Sequence, residues 1–212
     1  MYKAVIFDMD GVLIDSQNFH YQADIDVIIK AGYSANMETV VPYTGISNPD
    51  RWPKYKESLN LAHDTETLIN WHREKIETLF KKECKETIPG IPELLKYISE
   101  KGLKIALASS SHPELINIVL QQTGISSYFE AIVSGEDVEN GKPAPDVFLC
   151  AAEKISVLPE HCIVIEDSPV GIKAAKNANM ACIAYKNANT HNQDFSLADY
   201  VASDYKECRQ WL

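Results

Sequence analysis

The sequence lacks a long uninterrupted hydrophobic run. Its first apolar stretch comprises only residues 4–7 before Asp8 and Asp10 interrupt it, which is too short for a secretory signal or a membrane span. Internal repeats and low-complexity blocks are absent as well. We therefore expect a cytoplasmic protein that does not enter a membrane.

Basic residues are also scarce. The chain has 20 Lys and Arg against 30 Asp and Glu, a formal net charge of −10, and the basic residues form no cluster. Nucleic acids and anionic membranes bind clustered Lys and Arg, so neither is an expected partner. A phosphorylated ligand would have to be attracted locally, by a divalent cation and a few fixed donors.

Paired cysteines are missing too. The five cysteines are an odd number, and none has the Cys-X-X-Cys spacing of redox and zinc sites. Three of them, at positions 150, 162 and 182, lie within apolar segments. We therefore expect buried free thiols rather than disulfides.

The sequence does contain polar residues directly after short apolar runs. The first run, residues 4–7, leads into Asp8-Met9-Asp10-Gly11. An apolar run bounded by glycine is typical of a buried strand, so both carboxylates are expected at the sheet edge where α/β proteins bind ligands. Two acids there favour a metal ion, although this string alone is also ordinary turn chemistry.

Three further segments of this kind follow. Their polar residues are Ser109-Ser110-Ser111 after residues 104–108, Lys142 between Gly141 and Pro143, and Glu166-Asp167-Ser168 after residues 162–165. Asp, Ser, Lys and Glu-Asp in this order resemble the four signatures of the haloacid dehalogenase superfamily of phosphatases and phosphomutases. The resemblance spans essentially the whole chain.

Hydrophobic periodicity indicates the organisation of the chain. Residues 17–31 and about 66–83 have helical spacing, and nothing in 16–86 alternates as a strand. From residue 87 onward, the patterns predict helix 91–101, strand 104–108, helix 113–123, strand 131–134, helix 145–155, strand 162–165, helix 170–178, strand 181–185, then a polar tail with a last short strand within 198–203. This alternation predicts a doubly wound parallel α/β sheet.

The segment between the first two strands is too long for one crossover. Its excess is helical and resembles the small helical cap that one large subgroup of the superfamily inserts there. We therefore predict a Rossmann-like α/β core of residues 1–15 and 87–212 and a helical cap of residues 16–86, with hinges near 13–16 and 86–90. A chain of 212 residues is long enough for one domain with such an insertion.

The resemblance assigns the acidic residues to phosphoryl transfer. Asp8 would be the nucleophile that forms an aspartyl-phosphate. Asp10 would be the general acid and base, which requires a pKa nearer neutrality than the usual value of about 3.9. The implied cofactor is Mg²⁺, held by Asp8, the backbone carbonyl of Asp10 and Asp167. Glu166 would either bind this ion through water or orient Asp167.

The resemblance also assigns the contacts to phosphate. Four groups would hold the phosphoryl oxygens: the side chain of Ser109 and the backbone amides of Met9, Asp10 and Ser110. Lys142 would balance the charge of carboxylate and phosphate. A surface lysine is the alternative, but Gly141 and Pro143 on either side favour a fixed position.

Residues of the predicted cap carry weaker signals. His20 lies one turn into the first cap helix and His112 follows the serine run, so both are candidates to face the cleft, although a lone histidine is more often an ordinary polar group. We expect His20 and Asn48 to contact substrate. Specificity is expected to lie in cap residues such as Asp24, Tyr43, Asn48 and Arg51.

Three residues have a capping role as their simplest interpretation. Asp15 and Ser16 precede the predicted helix at residue 17, and Ser168 precedes the one near residue 170. Asp and Ser are favoured at helix N-caps. We therefore expect all three to cap helices rather than to bind substrate.

Within the superfamily the chain is most similar to the β-phosphoglucomutase-like branch, but it departs from the mutase in three places. The mutase has an arginine that clamps phosphate where this chain has Asn48 after Gly45-Ile46-Ser47, a tryptophan at the position of Asp24, and a lysine at the position of His112. A mutase must bind a second phosphate, so the loss of two cationic contacts favours hydrolysis.

The expected function is therefore Mg²⁺-dependent hydrolysis of a small phosphorylated metabolite, such as a sugar phosphate, by a monomeric enzyme. A phosphomutase of the β-phosphoglucomutase kind is one alternative. A phosphate-sensing or partner-binding module with a silent site is the other, but a silent relative would be expected to lose at least one of the four signatures.

Overall fold

The structure is a computed structural model that describes residues 1–44, 46–188, 190 and 193–212. Gly45 of the cap string and Asn189, His191 and Asn192 of the polar tail lie outside the described residues. The chain folds into two compact units, Met1–Asp15 with Lys85–Leu212 and Ser16–Cys84.

The unit Ser16–Cys84 is helical. Its helices are α1 (Gln17–Lys30), α2 (Met37–Val40), α3 (Asn48–Leu59) and α4 (Thr65–Glu83). The α-helices pack around a buried apolar cluster that includes Val27, Ile28, Trp52, Tyr55 and Leu68. Within this unit the described residues form no strand, as the sequence predicts.

The other unit alternates strands and helices. It contains β1 (Ala4–Phe7), α5 (Ile91–Glu100), β2 (Lys104–Ser109), α6 (Pro113–Thr123), β3 (Ala131–Ser134), α7 (Asp146–Lys154), β4 (Cys162–Glu166), α8 (Pro169–Asn177), β5 (Ala181–Tyr185), β6 (Tyr200–Ala202) and α9 (Tyr205–Cys208). The strands form one parallel sheet in the order β3-β2-β1-β4-β5-β6. The predicted doubly wound sheet is confirmed.

Strand β1 lies in the middle of this sheet. All four of its residues are buried, because helices cover both faces of a doubly wound parallel sheet and each face therefore takes apolar side chains. The strand order reverses between β1 and β4. In open α/β sheets a ligand binds beyond the carboxyl ends of the strands at such a reversal.

One of the predicted helix caps is present in the structure and another is not. Ser168 accepts a hydrogen bond from Gly171 N at 3.1 Å at the start of α8, so its predicted cap is confirmed. Ser16 occupies the N-cap position of α1 but its side chain makes no capping hydrogen bond. Its backbone has φ −99° and ψ −9°, whereas a capping serine is typically extended.

The cysteines are free thiols. Cys84, Cys162, Cys182 and Cys208 are buried, whereas Cys150 is partly exposed. No helix among the described residues is long and apolar enough to cross a membrane.

Candidate active site

The register of three adjacent strands brings the signature residues together. Phe7 lies beside Leu107 of β2 and Ile165 of β4, and Asp8 N donates a hydrogen bond to Ile165 O at 3.0 Å. The residues that follow these positions therefore emerge side by side at the carboxyl edge of the sheet. This edge is the one predicted for ligand binding.

Lys142 approaches this edge from the loop before α7. Its Nζ lies 2.6 Å from Asp8 Oδ1, 2.9 Å from Glu166 Oε1 and 3.4 Å from Ala108 O. An ammonium group has three hydrogens, and these three acceptors match them. The side chain is only 6% exposed, so the alternative of a surface lysine is excluded.

The charges at this edge do not balance. Burial raises the pKa of Asp8 to about 7, with Lys142 opposing the shift and Glu166 and Asp10 adding to it. Burial and the charges of Glu166 and Asp8 raise the pKa of Asp167 well above its usual range. Although burial disfavours the charged ammonium, Asp8 and Glu166 raise the pKa of Lys142. Carboxyl groups thus outnumber the buried ammonium that faces them.

This donor set fits Mg²⁺. No group of three or more His, Cys, Asp or Glu side chains within the described part of the chain is arranged to hold a metal ion. Mg²⁺ does not need such a group, because it commonly takes one or two carboxylates and completes its shell with water and phosphate oxygens. The carboxyl groups of Asp8 and Asp167 match that requirement, since both lie among other acids and a cation would favour their ionised forms.

Both carboxylate oxygens of Glu166 accept hydrogen bonds from other groups of the protein. Oε1 accepts from Lys142, and Oε2 accepts from Ser168 N at 2.6 Å and Ser168 Oγ at 2.9 Å. A methyl group on Gly171 would overlap this carboxylate. These contacts hold Lys142 and the loop at Ser168, and the two roles that the sequence left open for Glu166, binding Mg²⁺ through water and orienting Asp167, stay predictions.

The serine run connects β2 to Asp10. Ser109 is fully buried, and its Oγ accepts from Ser111 N at 3.0 Å. Ser111 Oγ donates to Asp10 Oδ2 at 2.9 Å, and Ser134 Oγ donates to Ser111 O at 2.8 Å. Ser111, for which the sequence indicated no role of its own, therefore orients the predicted acid and base.

Asn187 is a second residue that the sequence analysis missed. Its Nδ2 lies 2.8 Å from Gly11 O and 2.9 Å from Asp167 Oδ2. The sequence placed it in a polar tail by composition alone. Its position two residues after β5 could have identified it, because the end of β5 lies at the same sheet edge as the signature residues.

The remaining candidates of the α/β unit lie around this edge. Met9 is fully buried and its carbonyl accepts from Leu13 N at 2.8 Å, which closes the loop after β1. Ser110 is exposed, and its backbone packs against Gly135. His112 is nearly buried at the N-cap position of α6. Their predicted contacts with phosphate or the cleft stay predictions.

The candidates in the helical unit belong to a buried polar network. Asp24 lies 3.2 Å from Arg51 Nε, 3.0 Å from Tyr55 Oη and 3.3 Å from His72 Nε2. Burial raises the pKa of Asp24, with Arg51 opposing the shift. Asp24 is 2% exposed and Arg51 8% exposed, so these two expected specificity residues point into the unit.

Asn48 and His20 meet the same network at His72. Asn48 Nδ2 lies 3.1 Å from His72 Nδ1, and Asn48 Oδ1 accepts from Arg51. The rings of His20 and His72 stack with their centroids 6.1 Å apart. The structure therefore joins the two predicted substrate contacts through His72.

Comparisons with known proteins agree with the sequence resemblance. Residues 5–185 match the family of haloacid dehalogenase-like hydrolases. The Phosphorylated carbohydrates phosphatase of Thermotoga maritima is 33% identical over 178 residues, which cover 84% of this chain and 82% of that protein. The protein SUPPRESSOR OF QUENCHING 1, chloroplastic, of Arabidopsis thaliana is 38% identical over 190 residues, which cover 87% of this chain but 18% of that longer protein.

A solved structure has the same fold. The β-phosphoglucomutase of Clostridium difficile superposes with a TM-score of 0.83 at 29% identity, covering 98% of this chain and 93% of that one.

Proposed function

The chain belongs to the haloacid dehalogenase-like hydrolases, and from that membership we propose that it is a Mg²⁺-dependent phosphatase of a small phosphorylated carbohydrate. The observation that carries the proposal is the buried ammonium of Lys142, which lies 2.6 Å from Asp8 Oδ1 and 2.9 Å from Glu166 Oε1. A fixed cation beside a carboxylate suits a nucleophile that must receive an anionic phosphoryl group.

Asp8 is the proposed nucleophile. Lys142 holds Oδ1 of Asp8, so Oδ2 is the oxygen that forms the bond to phosphorus while the bond from phosphorus to the carbohydrate oxygen breaks. In a second step water attacks the phosphorus of phospho-Asp8. Phosphate leaves and the carboxylate of Asp8 is restored.

Asp10 moves the proton in both steps. It gives a proton to the departing carbohydrate oxygen, which leaves as an alcohol, and later takes one from the attacking water. The hydrogen bond of 2.9 Å from Ser111 Oγ to Asp10 Oδ2 fixes one oxygen.

The carboxylates of Asp8 and Asp167 and the carbonyl of Asp10 would hold Mg²⁺, which when bound neutralises the charge of carboxylate and phosphate. Glu166 orients Lys142 and the loop at Ser168. Ser109 and the backbone amides of Met9, Asp10 and Ser110 would hold the phosphoryl oxygens.

The contacts that Arg51 makes within the helical unit favour a substrate with a single phosphate. Its guanidinium lies 3.2 Å from Asp24 and 3.1 Å from Ile46 O, and it also donates to Asn48. A guanidinium already paired with a buried carboxylate is a poor clamp for a second phosphate. The activity for which the Thermotoga maritima relative is named supports a phosphorylated carbohydrate as the substrate class.

A phosphomutase is the second candidate, supported by the resemblance to the Clostridium difficile β-phosphoglucomutase. The cytoplasmic location, the monomeric state and the lack of nucleic-acid or membrane partners stay predictions.

Release of inorganic phosphate from a panel of phosphorylated carbohydrates, with acetyl phosphate and p-nitrophenyl phosphate as generic donors, tests the proposal. We expect release only with Mg²⁺. Asp8→Asn keeps the shape of the side chain but loses its charge, so turnover should fall to background, whereas Asp194→Asn, a change at an exposed carboxylate of the same unit, should not alter it. Absence of release from every donor would favour the silent module.

A further inference from the structure

Asn187 follows β5, whose end carries none of the four signatures. Strand β5 pairs in register with β4, and Ala184 lies beside Glu166. Asn187 is thus two residues past the end of its strand and next to the loop that carries Asp167. The topology alone brings it to the charged edge of the sheet.

The amide of Asn187 joins two loops. Its Nδ2 donates to Gly11 O at 2.8 Å and to Asp167 Oδ2 at 2.9 Å. An amide nitrogen has two hydrogens, so these bonds use both. The loop after β1 and the carboxylate after β4 are therefore held in one arrangement by one side chain.

Gly11 packs closely against this junction. Gly11 has φ +76°, and a methyl group there would lie 2.9 Å from Asn187 Nδ2 and overlap the carboxylate of Asp167. The backbone of Asn187 is held as well, because its carbonyl accepts from Thr190 Oγ1 at 2.8 Å and Thr190 is 2% exposed. The Asp167 carboxylate accordingly has little freedom to turn.

The partner of Asp167 is a neutral group. Lys142, the cation at this edge, contacts Asp8 and Glu166. A lysine or arginine in place of Asn187 would cancel the charge of Asp167, whereas an amide orients that charge and leaves it available. Since Asn187 engages Oδ2, Oδ1 is the oxygen left for a cation.

We propose that Asn187 is a positioning residue that sets the affinity of the Mg²⁺ site by fixing Asp167 against the loop at Gly11. This inference rests on the proposed Mg²⁺-dependent function. Loss of a group that orients a metal ligand typically lowers metal affinity about 10- to 100-fold.

Isothermal titration calorimetry of the full chain with Mg²⁺ alone measures this affinity without catalysis. We expect Asn187→Ala to raise the dissociation constant about 10- to 100-fold, and Asn187→Ser, which keeps one donor, to give a smaller increase. Asn117→Ala makes the same chemical change on the exposed face of α6 and should leave binding unchanged.

Melting temperatures without Mg²⁺ separate positioning from folding. A positioning role predicts that Asn187→Ser melts close to the wild type in the absence of Mg²⁺ and gains less stability when Mg²⁺ is added. Wild-type affinity for Mg²⁺ in Asn187→Ser and Asn187→Ala would overturn the inference. Failure of the wild type itself to bind Mg²⁺ would instead overturn the proposed function.

Discussion

Lys142 shows most directly how burial and chemistry are linked at the scale of single residues. Its ammonium contacts two carboxylates and a carbonyl, and its side chain is only 6% exposed. Burial removes water from the ammonium and from both carboxylates, so each charge depends on its partner for stabilisation. The same ammonium is placed to receive phosphate charge.

Replacement of Lys142 should therefore destabilise the protein. Lys142→Met leaves Asp8 and Glu166 buried without their cation, at an expected cost of about 3–5 kcal/mol. Lys96→Met is the matched control, because Lys96 is 70% exposed and lies 3.8 Å from Glu100; its cost should be about 0–1 kcal/mol. Urea denaturation measures both values. Equal costs would contradict the buried role of Lys142.

The raised pKa of Asp8, about 7, predicts a pH dependence of stability. Its ordinary value is about 3.9, so between about pH 4 and pH 7 the folded state keeps a proton that the unfolded state has lost. Stability without Mg²⁺ should therefore fall as pH rises through this window. Melting curves should show a shallower fall in Asp8→Asn, and an unchanged slope in that variant would contradict the assignment.

Added Mg²⁺ provides the second half of this test. A cation favours the ionised carboxylate, so the fall in stability between about pH 4 and pH 7 should become smaller with Mg²⁺. Asp194→Asn is the control, since hydrogen bonds from Ser196 lower the pKa of that exposed carboxyl and its titration lies below the window.

At the scale of the secondary-structure elements, the strand ends explain why most of the site could be predicted. A strand buried on both faces is a continuous apolar run, so the first polar residues after it mark the sheet edge. This rule located Asp8, Ser109 and Glu166. It missed Asn187 because the segment after β5 is predominantly polar, so composition gave no reason to single out one residue.

Other features depend on contacts that no local pattern contains. Asp24 on α1 pairs with Arg51 on α3, 27 residues away along the chain, and a polar residue in a helical pattern is as compatible with solvent as with a buried partner. Ser16 has the residue type of a cap, but its backbone is helical rather than extended. Residue preference alone did not indicate that conformation.

Helix α1 offers a paired test of the buried network. Asp24→Ala leaves Arg51 buried without its carboxylate and should cost about 3–5 kcal/mol. Asp26→Ala changes a carboxylate two residues away that is 30% exposed and pairs with Lys75 at 2.6 Å, for which about 0–1 kcal/mol is expected. Denaturation curves of the two variants measure the difference. Similar costs would show that Asp24 and Arg51 do not stabilise the helical unit.

At the scale of the whole molecule, we propose that the phosphoryl group of the substrate is finally transferred to water. The α/β unit has the four signatures that the sequence resemblance assigns to hydrolases and mutases alike, but His112 of this unit stands where, by that resemblance, the mutase has a lysine. By the same resemblance, Asn48 and Asp24 of the helical unit stand where the mutase has arginine and tryptophan, and Arg51 is paired within this unit. A retained bisphosphate would lack the cations that hold its second phosphate.

Turnover in water labelled with ¹⁸O tests this claim most directly. With β-glucose 1-phosphate or another phosphorylated carbohydrate that the protein accepts in the presence of Mg²⁺, we predict that every turnover releases one phosphate carrying one oxygen from water. The hydrolase assignment would be contradicted if the protein converted β-glucose 1-phosphate to glucose 6-phosphate, with the corresponding glucose bisphosphate as primer, and released little labelled phosphate.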